Sequence, residues 1–262
     1  MENAPTSRTD LIPAVQPVPL DDAARQEIAL LALRQHRANG VLMKGITFVG
    51  GQVEDGLKML PASTRNQFDA VVKRALRQSY DLAHRSRSGV GRDIGSDGLH
   101  KLIGTLSGAL GGFGGIATAM VELPVATTVI FRAVHHVATQ YGEDPESAET
   151  RMQCLAVFGT GGPGRDDDGI DTAFIGARLG LSGAAVNGLI SRVAPRLAAV
   201  LSQKLAAQTV PVLGAAAGAG INYAFVDYYV ALAHVHFGLR KLGRTYGQES
   251  VTEAFHRALV QT

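Results

Sequence analysis

With 46% of its 262 residues apolar and only 18% charged, the chain has too few charges for a disordered protein and enough apolar side chains for a sizeable core. Its net charge of +2 provides no global field of the kind that nucleic-acid-binding proteins use, so no nucleic-acid partner is predicted. Tryptophan is absent and 31 glycines accompany many alanines, which favours an all-α fold with closely approaching helices over a β-sandwich.

The N-terminal segment predicts a tail followed by a helix. MENAPTSRTDLIPAVQPVPL is rich in proline and contains no apolar run of signal-peptide length, so residues 1–20 are expected to be a disordered tail on a cytoplasmic protein. Acidic residues open the next segment at Asp21, and Asn39-Gly40 is typical of a helix end. Residues 21–59 are therefore predicted to be a helical extension, and residues 60–262 one helical domain.

A second helix is expected from about Thr64 to Arg87, where apolar residues recur at helical spacing. Its other face is basic, which predicts either a solvated surface or a surface that lies on anionic lipid. The lipid-facing residues are predicted to be Arg65, Lys73, Arg74, Arg77 and Arg85, with a second patch at Arg192, Arg196 and Lys204.

An uncharged run of 20 residues between Lys101 and Glu122 is long enough to span a bilayer, but it is rich in glycine. Glycine and alanine contribute little to membrane insertion, so a buried helical hairpin is favoured, with shallow insertion as the alternative. A helix is then expected to begin at Pro124, since proline suits a first helical turn. It is expected to end at Tyr141-Gly142, where glycine suits a left-handed cap.

The rest of the chain is also patterned as helices. Residues 146–158 predict a short helix, and the segment GTGGPGRDDDGID after it predicts a loop. The GxGxxG match in this loop departs from a dinucleotide fingerprint because three aspartates follow it, and the aspartates do not have calcium-loop spacing. No cofactor is predicted. Helical patterning resumes at Thr172, with breaks expected at Pro195 and Pro211.

An internal repeat is predicted at an offset of 105 residues. The offset aligns Val121-Glu122 with Val226-Asp227 and Tyr141-Gly142 with Tyr246-Gly247, and eight of the 28 positions from residue 115 to residue 142 are identical. A second uncharged run, from Leu205 to Val226, likewise ends at an acid. These matches predict two pseudo-symmetric helical halves with glycine- and alanine-rich crossings in a single domain.

Carboxylates and histidines near both repeats form a candidate site. Glu122 and Asp227 are equivalent in the repeat, and His234 lies seven residues after Asp227, on the same face of a helix. Such a cluster can hold a metal or perform general acid–base catalysis, whereas the structural alternative is that the acids cap helices and pair with Arg132, Arg240 or other donors. There is no His-Glu-x-x-His motif, which disfavours a zincin-type peptidase.

Two potential nucleophiles are weaker candidates. Ser182 lies in a Gly-Leu-Ser-Gly-Ala segment that is one glycine short of a nucleophile elbow and has a helical context. Cys154, the one cysteine, lies in an apolar run, where a thiol is inert packing rather than an activated nucleophile. A single cysteine also fits a reducing compartment.

Several long motifs resemble the EcsC protein family in the right order. They are VELPVATTVIFRAV, YGED with the following Cys154–Gly159 segment, KLAAQTVPVLGAAAGAGINYAF and HVHFGLRKLGRTYG. The resemblance covers about Leu60 to Leu259 and implies a helical fold, with no established catalytic residues. The family is named for a protein encoded beside an ABC exporter, so the resemblance also implies association with a membrane.

These observations predict a non-catalytic protein at the inner face of the membrane, which binds anionic lipid or a membrane protein complex. One alternative is a hydrolase or metal-dependent enzyme that uses Glu122, Asp227 and His234. Another is a lipid or fatty-acid carrier whose glycine-lined core opens between the two halves.

Overall fold

A computed structural model describes six stretches of the chain, and all regular structure within them is α-helical. The stretches are residues 18–38, 40, 62–85, 115–160, 182–208 and 215–262. Within the helices, the side chains at 64, 83–85, 115–122, 202–208 and 215–222 are not described. The seven helices are α1 (Asp22–Ala38), α2 (Ala62–Arg85), α3 (Gly115–Gln140), α4 (Ala148–Val157), α5 (Gly183–Gln208), α6 (Ala215–Tyr246) and α7 (Gln248–Val260). The described residues confirm the all-α fold class.

Helix α6 is the longest helix and contacts most of the others. Helices α1 and α7 pack on it and on each other, and α3 packs on it as well. Helix α2 covers α3, and α5 packs against α2. Helix α4 contacts α2, α3, α5 and α6, and its residues from Thr150 to Val157 are all buried. The basic helix α2 and the N-terminal helix α1 therefore belong to different layers.

Aromatic rings fill the core where α3, α4 and α6 meet. The Phe158 ring lies between Phe131 and Tyr229, at centroid distances of 6.3 and 5.1 Å. Phe225 meets Tyr229 edge-on at 5.3 Å. All four side chains are essentially inaccessible to solvent. Each buried aromatic ring contributes a large apolar area, so this cluster anchors the bundle without any tryptophan.

Two prolines predicted to begin or break helices lie inside them. Helix α3 begins at Gly115, nine residues before Pro124, and α5 continues through Pro195 to Gln208. A proline removes only one N–H from the helical ladder, and burial of Val193 and Leu197 on either side of Pro195 holds α5 together. One turn after Pro124, the Thr128 hydroxyl donates to the Pro124 carbonyl at 2.7 Å. Both predictions were wrong because tertiary packing outweighs local propensity.

The other predicted boundaries are close to the observed ones. Helix α3 ends at Tyr141-Gly142 as predicted, with Gly142 at φ 78°. The Gly142 N–H donates to Thr139 O and the Glu143 N–H to Ala138 O, both at 3.1 Å, which is the Schellman arrangement. The short helix predicted at residues 146–158 is α4.

The two helices in the predicted repeat have one feature in common. Gly247, which follows α6 as Gly142 follows α3, also has a positive φ, 86°. These are the two positive-φ residues in the described part of the chain. The glycine-rich run before α3 and Pro211 lie outside the described residues, so the repeat of two whole halves stays a prediction.

The N-terminal helix α1 is part of the main core. Ile28, Leu31 and Ala32 are buried against α6 and α7. At the crossing with α6, a Cβ added to Gly238 would lie 2.8 Å from Leu31 Cδ1. Absence of a side chain at Gly238 therefore allows α1 to approach α6 closely.

Candidate functional site

His234, a member of the predicted cluster, is half-buried on α6 and hydrogen-bonded to Tyr141. The Tyr141 hydroxyl lies 3.2 Å from His234 Nδ1, and the two rings meet edge to face. Burial, with a smaller contribution from the charge of Arg34, lowers the pKa of His234 to about 4. The imidazole is therefore neutral at pH 7, and its Nδ1 accepts from the phenol in one tautomer and donates to the phenol oxygen in the other.

The other two members of the cluster are placed differently. Asp227 is exposed on α6, and seven residues separate it from His234 by about 10 Å along the helix axis. Glu122 lies in α3, but its side chain is outside the described residues. Across the described side chains, no group of three or more His, Cys, Asp or Glu can hold a metal ion.

The enzymatic alternative stays a prediction. Since Asp227 and His234 are too far apart for a direct hydrogen bond, that activity would need a bound group or Glu122 to link them. Metal analysis of the purified protein, with Glu122→Gln as the matched variant, tests this alternative.

A buried ionic network, which sequence reasoning missed, joins the loop after α3 to α6. The Arg240 side chain, 13% exposed, donates through Nε to Glu143 Oε1 at 3.0 Å and also pairs with Glu149. Arg244 donates to the same Glu143 oxygen at 2.6 Å and to Tyr141 O. Sequence patterns predicted Arg240 as a partner for Glu122 or Asp227. Its partners are instead two acids that the pattern did not single out.

A second buried polar contact joins α6 to α4. His236 Nε2 lies 2.9 Å from Gln153 Oε1, and both residues are inaccessible to solvent. Burial lowers the pKa of His236 to about 3, with Arg240 contributing in the same direction. Cys154, next to Gln153, is also fully buried, and burial raises its thiol pKa well above the ordinary value. Neither group is available as a nucleophile or general base at neutral pH.

The predicted lipid-facing residues of α2 lie on its solvent side. Arg65 and Arg74 are exposed, while Lys73 pairs with Asp69 at 2.7 Å. Arg77 contacts Asp81 at 3.3 Å. The Arg85 side chain is outside the described residues.

Arg77 also connects α2 to α5, since its Nη1 donates to Asn187 Oδ1 at 2.7 Å. The exposed face of α5 near this contact carries small side chains, including Ala184 and Gly188, with Pro195 further along. Gly183–Leu201 is the one segment, among the described residues, with the length and hydropathy for crossing a bilayer, and 44% of it is buried in the bundle. Length and composition alone are weak evidence for a span, because core helices have the same properties.

The second predicted basic patch is divided. Arg192 is exposed, but Arg196 is half-buried and donates to Gly159 O at 2.5 Å, which ties α5 to the end of α4. The Lys204 side chain is not described. Arg196 therefore has a structural partner that sequence patterns did not indicate.

Among the weaker candidates, Ser182 is the N-terminal cap of α5. Its Oγ accepts a hydrogen bond from Ala185 N at 3.1 Å, which satisfies one of the free N–H groups of the first turn. The loop aspartates at 166, 168 and 171 lie outside the described residues.

A surface groove between α1 and α7 has a volume of about 600 Å³. Apolar residues from the approach to α1, from α1 and from α7 line it, together with Arg25, Glu253 and Arg257. Its two walls come from opposite ends of the sequence. No motif could therefore have indicated the groove.

Comparison with known proteins gives one match. Residues 48–168 match the family model of the EcsC protein family. The match confirms the resemblance that the motifs predicted. It begins before Leu60, where we had expected the resemblance to start, and it ends before α5. No curated protein matches the chain, and no solved structure does.

Proposed function

From this family resemblance and the surface of α2 and α5, we propose that the protein is a non-catalytic, peripheral membrane protein that binds anionic lipid on that surface. One observation carries the proposal. The exposed basic side chains of α2 lie beside the small-residue face of α5, and the hydrogen bond between Arg77 and Asn187 joins the two helices. A basic surface beside an apolar strip is the arrangement with which peripheral proteins bind an anionic bilayer.

The charge of α2 sets the strength of the interaction. Its described side chains comprise four basic residues (Arg65, Lys73, Arg74 and Arg77) and two acidic ones (Asp69 and Asp81), which leaves an excess of two positive charges. Each basic residue near an anionic surface contributes about 1 kcal/mol. With Arg192 on α5, the electrostatic attraction is about 3 kcal/mol, or roughly a hundredfold in affinity.

Electrostatic attraction of this size gives only weak, reversible association with a membrane. Stable binding therefore needs a second contribution. The exposed strip of Ala184, Gly188 and Pro195 on α5 provides it by shallow contact with the headgroup region. The pairs of Lys73 with Asp69 and of Arg77 with Asp81 are substantially exposed. Exposed ion pairs are worth little, so both cations can exchange their carboxylates for lipid phosphates.

Vesicle flotation tests the proposal. We expect the protein to float with vesicles that contain phosphatidylglycerol, to float poorly with pure phosphatidylcholine, and to dissociate as salt is raised. Arg74→Glu should weaken flotation severalfold. Arg37→Glu, the same charge change at an exposed position of the separate α1 layer, should leave it unchanged. Equal flotation with neutral and anionic vesicles, or equal loss in both variants, would contradict the proposal.

A further inference from the structure

We propose that the groove between α1 and α7 binds one long-chain fatty acid, with its carboxylate between Arg25 and Arg257. The groove is formed by different helices from the α2–α5 surface. The inference therefore stands apart from the proposed membrane association, and each can fail without the other.

The groove has the size of a small-molecule site. Its volume of about 600 Å³ falls within the range of roughly 300–1,000 Å³ that is typical of ligand pockets. It lies along two neighbouring helices that pack against each other, and its open side faces solvent.

Apolar groups form about half of the lining, and polar groups form the other half. Leu20 and Ile28 come from the N-terminal side, and Ala254 and Ala258 come from α7. The alanines leave open the space that larger side chains would fill. At one end, Val18 lines the groove and is 53% exposed. Covering such aliphatic surface with a methylene chain removes apolar area from water, which favours binding.

The charged groups of the lining favour a ligand with one negative charge. Arg25 belongs to α1 and Arg257 to α7, so a guanidinium lies on each wall, while Glu253 is the one carboxylate of the lining. The net charge of the lining is therefore +1. A guanidinium binds a carboxylate through two parallel hydrogen bonds, which makes a fatty-acid head a matching partner.

The existing partner of Arg25 does not compete strongly. Arg25 Nη1 lies 3.3 Å from Asp22 Oδ1, and both side chains are largely exposed. An exposed pair three residues apart on a helix contributes little. Arg25 can therefore turn to a ligand carboxylate at small cost. Glu253, by contrast, repels a bound anion. Removal of an arginine and removal of Glu253 should therefore change the affinity in opposite directions.

Calorimetry on the full-length, delipidated protein in vesicle-free buffer tests the proposal. The probe is palmitate below its aggregation concentration, with hexadecanol as the same chain without the charge and acetate as the head without the chain. We expect one palmitate to bind per protein, hexadecanol to bind about tenfold more weakly because the charge-assisted contact is lost, and acetate not to bind.

Substitutions in the groove sharpen the test. Arg257→Gln should weaken palmitate binding about tenfold, and Glu253→Gln should strengthen it severalfold, because one removes a cation and the other an anion. Ala29→Phe should block binding, since Ala29 is an exposed residue of the lining and a ring there occupies the groove. Arg37→Gln, a matched charge change at an exposed position of α1 outside the lining, should not alter it.

Absence of palmitate binding would overturn the proposal. So would unchanged binding in Ala29→Phe with an intact circular dichroism spectrum, or equal effects of Arg257→Gln and Arg37→Gln. A shift of the same sign for Arg257→Gln and Glu253→Gln would show that the carboxylate does not lie between the arginines. Failure of vesicle flotation would leave all these outcomes unaffected.

Discussion

The arginines at the α4–α6 contact and those of the α1–α7 layer have opposite surroundings. Arg240 is 13% exposed and shares Glu143, itself 8% exposed, with Arg244. Arg25, on α1, is 65% exposed and contacts one carboxylate that is fully exposed. The Arg240 guanidinium has a buried partner, Glu143, and breaking this contact has a large cost, whereas the exposed partner of Arg25 is readily replaced. Buried charges here hold the fold, and exposed ones are available to ligands.

The largest expected difference between the two environments is at neighbouring residues of α6. Arg240→Ala should lower the free energy of unfolding by about 3 kcal/mol, since Glu143 is left buried with Arg244 alone. Lys241→Ala, one residue later, removes an exposed pair with Glu27 at 4.0 Å and should cost less than about 0.5 kcal/mol. Urea denaturation measures both values. Equal losses in the two variants would show that burial does not distinguish these charges.

Acid should lower the stability of the protein mainly through its buried titratable groups. The pKa of His236 is about 3 in the folded protein and 6.5 in an unfolded chain. Below pH 6.5, His236 binds a proton in the unfolded chain but not in the folded protein. The stability of the fold therefore falls with decreasing pH until about pH 3. Between pH 6.5 and pH 5 this loss is about 2 kcal/mol.

Comparison of two histidine variants isolates this contribution. His236→Gln should lose about 2 kcal/mol less stability than the wild type between pH 6.5 and pH 5. The matched control is His256→Gln, which removes a histidine from an exposed position on α7 in the outer layer. Burial also lowers the pKa of His135 and His234, so part of the acid sensitivity should persist in His236→Gln.

Two glycine-to-alanine substitutions compare the loop that positions Glu143 with the exposed face of α5. Gly142 has a φ of 78°, and a Cβ there would meet nothing within 4 Å, so Gly142→Ala should destabilise the protein by about 1 kcal/mol through the backbone alone. Gly188→Ala, at an equally open position in the middle of a helix, should stabilise by up to about 1 kcal/mol. Thermal unfolding should therefore shift in opposite directions. A shift of the same sign would contradict the role of the positive φ.

The smallest effect is expected at an exposed contact between α1 and α6. The Tyr246 hydroxyl donates to Asp21 Oδ2 at 2.8 Å, and Asp21 also accepts from Ala24 N at the start of α1. Tyr246→Phe should change the stability very little, because water replaces the lost donor. Asp21→Ala, which also removes the cap, should destabilise the protein more than Tyr246→Phe does, as measured by urea denaturation. The reverse order would mean that the cap contributes nothing.

Local sequence signals predicted the helices well. Apolar spacing identified α2 and α4, and the glycine after α3 was placed correctly because only glycine readily adopts a positive φ. Pro124 and Pro195 misled the prediction because the burial of residues such as Val193 depends on contacts with other helices. Spacing along the chain carries no information about such contacts.

Functional residues were less predictable than helices. The exposed basic residues Arg65 and Arg74 lie on the solvent side of α2, as its amphipathic pattern indicates. Arg196, from the same kind of pattern, instead binds a backbone carbonyl of a segment 37 residues away. Both the α1–α7 groove and the Glu143 network combine residues from distant parts of the sequence, so only the folded chain brings them together.

The junction between α6 and α7 gives the groove a mechanical property. A single residue, Gly247, with φ 86° and ψ 134°, links the two helices. Helix α7, 13 residues in length, extends for about 20 Å from this point. The orientation of α7 relative to α6 therefore depends on the backbone torsion angles of one residue. A rotation of a few degrees at Gly247 would displace the far end of α7 by about an ångström. The two torsion angles of this residue therefore affect the width of the groove, together with the packing of α7 on α1 and α6.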